Sequence, residues 1–188
     1  IRPSHWSHQK ALVWSSSSFL AAIADSSLCL IPQDVVGERS IESIRSERDP
    51  VENKRTIAMA SDHAGITLKA ALKDYIIGLG HDVVDLGPHT TDSVDYPDYA
   101  YKLADAVAGT QADLGVAICG SGIGISIGMN RHPAIRCALV TNGLMARLSR
   151  QHNDANVLAL GDRLTGVDVA KDCVKEFLQT PFEGGRHQ

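Results

Sequence analysis

The sequence has few cysteines, no excess of positive charge and no long apolar run, and each of these shortages excludes a class of protein. The four cysteines form no C-x-x-C pair, so neither a structural zinc site nor a dense disulfide framework is expected, and a reduced, cytoplasmic setting fits best. The 18 basic residues are outnumbered by 22 acidic ones, which argues against a binder of nucleic acid or of an anionic membrane surface. No apolar run reaches the roughly 18 residues that a membrane span needs.

Glycine is nearly absent from the first part of the chain, which also begins with Ile1 rather than Met. Residues 1–54 hold 11 of the 16 serines but only one of the 16 glycines, and residues 55–188 hold the other 15 glycines. We therefore expect two parts: a poorly ordered, serine-rich and charged extension over 1–54, and a working domain over 55–188. The acid-poor opening leaves a transit peptide as an alternative interpretation of the extension.

From residue 56 onwards, short apolar runs alternate with stretches of helical character. Five runs predict buried strands, at 56–60, 82–86, 114–118, 135–140 and 157–160. The segments after them predict helices at 66–79, 98–108, from Gly120 to about 130, 144–153 and 167–178. Such alternation implies βαβ crossovers and a parallel sheet covered on both faces. The expected fold is an α/β, three-layer, Rossmann-like sandwich with a five-stranded parallel sheet.

Polar residues follow several of the predicted strands. In a parallel sheet of this kind, ligands bind beyond the carboxyl ends of the strands. We expect the polar residues to meet there, and we assign His152 and Asn153, which end the helix before the fifth strand, to the same edge. The residues that follow the predicted strands are Asp62 and His63 after the first strand, 119–124 after the third, and Arg163 after the fifth.

The loop 119–124 is the strongest local feature, because glycines at 120, 122 and 124 allow a tight turn close to a ligand. A dinucleotide fingerprint requires a third glycine where Ile125 stands, and no Lys-Ser or Lys-Thr pair follows for a P-loop. The N–H groups that open the next helix suit an anion or a developing oxyanion. The alternative is a glycine turn that only packs strand against helix.

Cys119 lies at the junction of the third strand and this loop, where amide donors and the helix dipole favour a thiolate. We interpret Cys137 and Cys173 as inert core residues. Simpler interpretations remain open for two other candidates. His152 could be an ordinary surface histidine, and Asp62 could be a helix N-cap.

Residues 56–188 resemble the type B ribose-5-phosphate isomerases, within the wider group that includes galactose-6-phosphate and allose-6-phosphate isomerases. The resemblance does not cover residues 1–54. It rests on five ordered blocks, whose sequences are SDHAG at 61–65, DYP at 95–97, ICGSGIGIS at 118–126, SRQHNDANVL at 149–158 and FEGGRH at 182–187.

The resemblance implies an aldose–ketose isomerase that interconverts ribose 5-phosphate and ribulose 5-phosphate in the pentose phosphate pathway. The reaction would pass through a cis-enediolate without metal or organic cofactor, with Cys119 as the base and His152 assisting ring opening. Tyr96 would lie near the site. The implied partners are a phosphorylated small sugar and a second copy of the chain, in a homodimer or a dimer of dimers with sites at the interface. The implied substrate-binding residues are Asp62, His63, Gly120, Ser121, Gly122, Ile123, Gly124, Asn153, Arg163 and Arg186.

Two departures from the family pattern bear on these expectations. One branch of the family carries a glutamate base at the position of Ile125, so the presence of Cys119 assigns this chain to the cysteine branch. Family members usually continue beyond the Gly-Gly-Arg-His stretch with a further phosphate-binding arginine, whereas this sequence ends at Gln188.

Three other functions remain as alternatives to ribose-5-phosphate isomerisation. They are isomerisation of a six-carbon sugar phosphate, such as allose or galactose 6-phosphate, non-catalytic binding of a sugar phosphate and, less favoured, a small redox protein using Cys119.

Overall fold

A computed structural model of the protein describes residues 54–188. The expected extension over 1–54 lies outside the described residues, apart from Lys54. The five strands are β1 (Thr56–Ser61), β2 (Asp82–Asp85), β3 (Leu114–Cys119), β4 (Cys137–Leu139) and β5 (Val157–Gly161). The five helices are α1 (Ile66–Gly78), α2 (Tyr96–Ala108), α3 (Ile123–Met129), α4 (Gly143–Asn153) and α5 (Val167–Gln179). Short 3-10 turns cover His63–Gly65 and Gly185–His187.

The strands form one parallel sheet in the order β2-β1-β3-β5-β4. Its two faces are both covered, as the alternating side chains of β1 illustrate. Ile57 and Met59 pack into a core with α1, α4 and α5, whereas Ala58 and Ala60 pack into a second core with α2 and α3. Burial on both faces explains why the strands are continuous apolar runs rather than alternating ones.

The predicted three-layer α/β fold with five parallel strands is confirmed, and the differences concern the ends of the elements. The edge strand β4 is shorter than the predicted 135–140, and side chains bond to backbone groups at its start. Asn156 Oδ1 accepts from Arg136 N at 2.8 Å, and Asn130 pairs with both the N–H and the C=O of Cys137 at 2.9 Å. Among residues 54–188, no helix is long and apolar enough to span a membrane.

Because the strands are parallel, the chain leaves the sheet at one edge, here called the carboxyl edge, and returns at the opposite amino edge. Backbone hydrogen bonds join the loops at the carboxyl edge. Asp62 N donates to Ile118 O at 3.1 Å, and Asp162 N donates to Cys119 O at 3.0 Å. The ends of β1, β3 and β5 are therefore held side by side, which gives the carboxyl edge a fixed shape.

A buried ion pair holds the segment between β2 and α2. Lys69 Nζ lies 2.6 Å from Asp85 Oδ1 and donates to Pro88 O at 2.8 Å, and Lys73 reaches the other oxygen of Asp85 at 3.2 Å. Burial alone would raise the pKa of Asp85, but hydrogen bonds from Lys69, Gly87 N–H and Lys73, together with the charge of Lys69, hold its pKa below the usual value. This pair fixes the start of the loop that leads to Tyr96.

Replacing Lys69 with Met is expected to lower the free energy of unfolding by about 3 kcal/mol, because it leaves a buried carboxylate without its main partner. Urea unfolding at pH 7 measures the change. The folded-state pKa of Asp85 is lowered, so the difference from wild type should be complete at pH 7 and shrink as the pH falls below about 4. Lys73→Met is the matched control, since its half-exposed amine predicts a loss below about 1 kcal/mol. Equal losses in the two variants would contradict this account.

Candidate active site

A cleft of about 400 Å³ opens at the carboxyl edge, between the loops that follow β1, β3 and β5. It brings together a thiol, a carboxylate, an imidazole and a guanidinium from segments far apart in sequence. The predicted candidates Asp62, His63, Cys119 and Arg163 all line it. The remaining lining residues are Ala64, Tyr96, Gly120, Ser121, Gly124 and Leu164.

Cys119 ends β3 and is almost fully buried. Its Sγ accepts a hydrogen bond from Gly122 N at 3.0 Å, which fixes the orientation of the sulfur toward the loop. Gly122 has a φ of +77°, which lets the chain turn back over the sulfur before α3 begins at Ile123. The predicted helix start near Gly120 is therefore three residues later, because the loop first wraps around the thiol.

The loop packs so closely against β5 that side chains do not fit at its contact points. A Cβ on Gly122 would lie 2.5 Å from Leu139 Cδ1, and a Cβ on Gly161 would lie 2.5 Å from the carbonyl carbon of Ser121. Arg163 N donates to Gly120 O at 3.0 Å. The glycines therefore allow close packing, which was the alternative interpretation of the loop. This packing also fixes the thiol at the cleft.

Not every loop amide faces the cleft. The N–H of Gly122 donates to Cys119 Sγ, and the N–H of Ile123 donates to Ser121 Oγ at 3.3 Å. Neither Gly122 nor Ile123 lines the cleft, and the Ile123 side chain is exposed. Gly120, Ser121 and Gly124 are the members of the predicted amide set that lie on the cleft wall.

Asp62 caps the turn at 63–65, where its Oδ1 accepts from Ala64 N at 2.9 Å and Gly65 N at 3.1 Å. The N-cap interpretation therefore holds, but the capping uses one oxygen and leaves Oδ2 for another partner at the cleft. The neighbouring His63 is held through its Nδ1, which lies 3.2 Å from Val94 N and 3.1 Å from Val94 O. Both side chains are fixed at the cleft by backbone contacts.

Arg163 and Tyr96 form the rest of the polar wall. The Arg163 side chain is exposed at the rim, and among residues 54–188 no carboxylate forms an ion pair with it. A Cβ on Gly124 would lie 2.9 Å from Tyr96 Cζ, so the phenol ring covers the start of α3. An unpaired guanidinium beside an imidazole suits a phosphate group.

The expectation that His152 and Asn153 share an edge with Cys119 is wrong. Helix α4 starts after β4 at the carboxyl edge and must run back before β5 can begin, so its last residues lie at the amino edge. Arg136, which precedes β4, donates through its Nε to Asn153 O. The five residues of β5 span about 16 Å between the two edges, so within one chain His152 and Cys119 lie at opposite ends of the sheet.

Arg186 belongs to the same amino-edge group as His152, because α5 also runs back to this edge. The segment after α5, residues 180–188, is here called the tail. It contacts the end of α4, where Glu183 N donates to Gln151 O at 3.1 Å. The His187 ring stacks on His152 with 4.3 Å between centroids, and Arg186 Nε donates to His187 Nε2 at 3.3 Å. The predicted site residues therefore form two groups, one at each edge.

Glu183, His187 and Leu164 are not among the residues predicted from the sequence to form the site. Glu183 and His187 stood inside a matched block, but their closeness to His152 depends on the return of α5, which no local pattern reveals. Of the two cysteines interpreted as inert core residues, Cys173 is buried in the core and Cys137 is half-buried against it. Burial raises the pKa of Cys137 to about 12, and burial together with the charge of Asp172 raises the pKa of Cys173 to about 11.

The fold and the cleft define an α/β sandwich protein with a thiol, a glycine loop, an imidazole and a guanidinium arranged around a small cleft. A profile of the family described as Ribose/Galactose Isomerase matches residues 57–188. Ribose-5-phosphate isomerase B of Escherichia coli (strain K12) is 44% identical over 134 residues, which are 71% of this chain and 90% of that protein. The chain belongs to the ribose/galactose isomerase family, as the resemblance implied.

Solved structures agree with this membership. Ribose-5-Phosphate Isomerase B of Clostridium thermocellum superposes with a TM-score of 0.69 at 50% identity, over 70% of this chain and 89% of that one. Ribose-5-phosphate Isomerase B of Mycoplasma genitalium, solved with bound Ribulose-5-phosphate, gives 0.68 at 42% identity, over 71% of this chain and 89% of that one. The shared part is the described α/β domain.

Replacing Gly122 with Ala is expected to lower the free energy of unfolding by more than about 2 kcal/mol. A Cβ in left-handed backbone costs about 1–2 kcal/mol, and overpacking adds about 1–3 kcal/mol. Thermal or urea unfolding measures the change. Gly166→Ala is the matched control, because no heavy atom lies within 4 Å of its new Cβ and a change within about 1 kcal/mol is expected. A Gly122 variant as mild as this control would refute the close packing of the loop.

Proposed function

We propose that the chain interconverts ribose 5-phosphate and ribulose 5-phosphate. The observation that carries the proposal is the buried Cys119 thiol facing a cleft rimmed by His63 and Arg163, in a chain of the ribose/galactose isomerase family. Support comes from the Escherichia coli relative named for this activity and from the Mycoplasma genitalium structure with bound ribulose 5-phosphate.

In the proposed reaction, Cys119 removes the C2 proton of the open-chain aldose and returns a proton to C1. The electron pair of the broken C–H bond forms the double bond of a cis-enediolate, and the carbonyl oxygen takes the negative charge. The hydroxyl proton on O2 passes to this oxygen, so that a C=O bond forms at C2 when C1 is protonated. Amides at Gly120, Ser121 and Gly124 stabilise that oxygen, which is the step that makes the proton removable. Asp62 Oδ2 holds a sugar hydroxyl, and neither metal nor organic cofactor takes part.

The phosphate is bound by His63 and Arg163 at the cleft. Arginine presents forked donors that match phosphate oxygens, and holding the phosphate keeps the short sugar in register with the thiol. Arg186 is a further phosphate ligand in this proposal. It belongs to the amino-edge group, so it reaches the cleft only from another copy of the chain.

A homodimer completes the site. A two-fold axis perpendicular to the strands sets the carboxyl edge of one sheet against the amino edge of the other and creates two equal sites. His152 of the partner subunit then donates the proton that opens the furanose ring, and Asn153 of the partner subunit holds a hydroxyl. Exposed apolar side chains on α3 and α4, the helices before and after the edge strand β4, suit such an interface. They are Ile123, Ile127, Leu144, Met145 and Leu148.

Purified protein is expected to isomerise ribose 5-phosphate, and Cys119→Ala or His152→Asn is expected to lower kcat by about 10²–10⁴-fold, as loss of a positioned acid or base does. Co-expressing the two variants provides the sharpest measurement. Random pairing makes half of the dimers mixed, and each mixed dimer has one intact shared site, so activity should return to about a quarter of wild type.

Mixtures that stay as inactive as the single variants would overturn the shared site, and a Cys119→Ala variant with normal turnover would overturn the proposed base. Allose 6-phosphate and galactose 6-phosphate belong in the same assay, because the family description covers ribose and galactose isomerases alike. Faster turnover of a six-carbon substrate would transfer the proposal to that sugar. Binding of a sugar phosphate without turnover would favour a binding module.

Residues 55–188 are proposed to carry the whole activity, with 1–54 taking no part in catalysis. The family profile begins at residue 57, and every lining residue of the cleft lies after that point. Removing residues 1–53 should therefore leave kcat and KM within about twofold of the full chain, since no group that binds substrate or moves a proton is lost. A large loss of kcat on trimming would contradict this assignment.

A reaction that depends on a free thiol fits a reducing compartment such as the cytoplasm.

A further inference from the structure

Three metal-ligating side chains meet at the amino edge, outside the cleft. His152 comes from the end of α4, and Glu183 and His187 come from the tail after α5. One ligand atom from each lies within 4.8 Å of the others, and His152 Nε2 is 3.9 Å from Glu183 Oε2. We call these three residues the amino-edge triad. All three are accessible, since His152 and His187 are half-buried and Glu183 is exposed.

Backbone contacts create the triad. Glu183 N donates to Gln151 O at 3.1 Å, which brings the tail beside the last turn of α4. Gly184 and Gly185 then adopt φ values of +62° and +59°, and the short turn at Gly185–His187 folds the chain back. The His187 ring consequently lies over His152, with the ring planes 11° apart.

The donor set selects a class of ion. Two imidazole nitrogens and one carboxylate suit zinc and similar divalent transition metals, whereas magnesium and calcium require mainly oxygen ligands. Three protein ligands with an open fourth position filled by water are a common zinc arrangement. Ligand atoms around zinc at about 2.1 Å lie about 3.4 Å apart in a tetrahedral site. To bind one ion, the three side chains must move closer together, and the stacked rings of His152 and His187 must tilt until a nitrogen lone pair of each points at it.

We propose that His152, Glu183 and His187 bind a zinc-like divalent ion, and that the bound ion suppresses the isomerase reaction. The second part rests on the proposed function, in which His152 donates a proton to the sugar ring. An imidazole nitrogen that coordinates metal has no lone pair or proton for that step. An ion on His187 Nε2 also displaces the hydrogen bond from Arg186, a proposed phosphate ligand. The ion is therefore an inhibitor, distinct from any cofactor.

Calorimetric titration of the metal-free full chain with Zn²⁺ tests the site without reference to activity. One ion per chain is expected, with no binding of Mg²⁺. Glu183→Gln and His187→Asn should each weaken Zn²⁺ binding by at least about tenfold, because loss of even an outer partner of a metal ligand costs about 10–100-fold. His132→Asn is the matched control, since His132 Nε2 also lies 3.9 Å from a carboxylate, that of Asp105, and should leave binding unchanged.

Zinc also binds thiolates, so the titration is repeated with Cys119→Ser. Binding that persists in this variant supports the triad, whereas binding that disappears there belongs to the thiol and overturns the proposal. Zinc affinity that is the same in wild type, Glu183→Gln and His187→Asn overturns it as well.

The link to activity is tested by isomerase rates at increasing Zn²⁺, each variant compared with its own metal-free rate. Wild type should lose activity and recover it on addition of EDTA, and Glu183→Gln should need at least about tenfold more Zn²⁺ for the same loss. Binding at the triad without inhibition overturns the inhibitory part. If the metal-free chain converts no sugar phosphate, the proposed function fails and the inhibitory part with it, while the calorimetry still decides the site.

Discussion

The common direction of the five strands is the constraint on which the rest of the structure depends. Each strand delivers its last residues to the carboxyl edge, and each crossover helix must return the chain to the amino edge before the next strand begins. Polar residues that end strands therefore gather around Cys119, and polar residues that end helices gather around His152. The chain carries these two groups of polar side chains about one strand length apart, and no side-chain rotation within one chain joins them.

Close packing between the β3 loop and the end of β5 turns the carboxyl edge into a fixed site. The loop can lie on β5 only because Gly122 and Gly161 carry no side chain. Two backbone bonds, from Asp162 N to Cys119 O and from Arg163 N to Gly120 O, then lock the loops together. A thiol held in this way is already oriented, so in the proposed reaction the entropic cost of positioning the base is not paid at each turnover.

The sequence predicts the fold and half of the candidate site for physical reasons that differ between the two edges. Strands buried on both faces are necessarily apolar runs, so β1, β3 and β5 are recognisable without any tertiary information. Asp62 and Cys119 follow such strands directly and are located with them. The position of His152 follows from chain order as well, but only when the direction of α4 is taken into account. The contact of His187 with His152 depends on left-handed backbone at Gly184 and Gly185 and on the return of α5, neither of which a local pattern reveals.

The proposed ring opening and the proposed metal site both draw on the imidazole of His152. A proton donor that works near neutral pH must lose its proton easily, so it spends much of its time as a neutral imidazole with a free lone pair. That form is also the one that ligates transition metals. A carboxylate beside it, such as Glu183 at 3.9 Å, supplies the negative charge that a bound cation requires. In these two proposals a sugar ring and a metal ion therefore compete for His152, because this histidine lies between a carboxylate and a second imidazole.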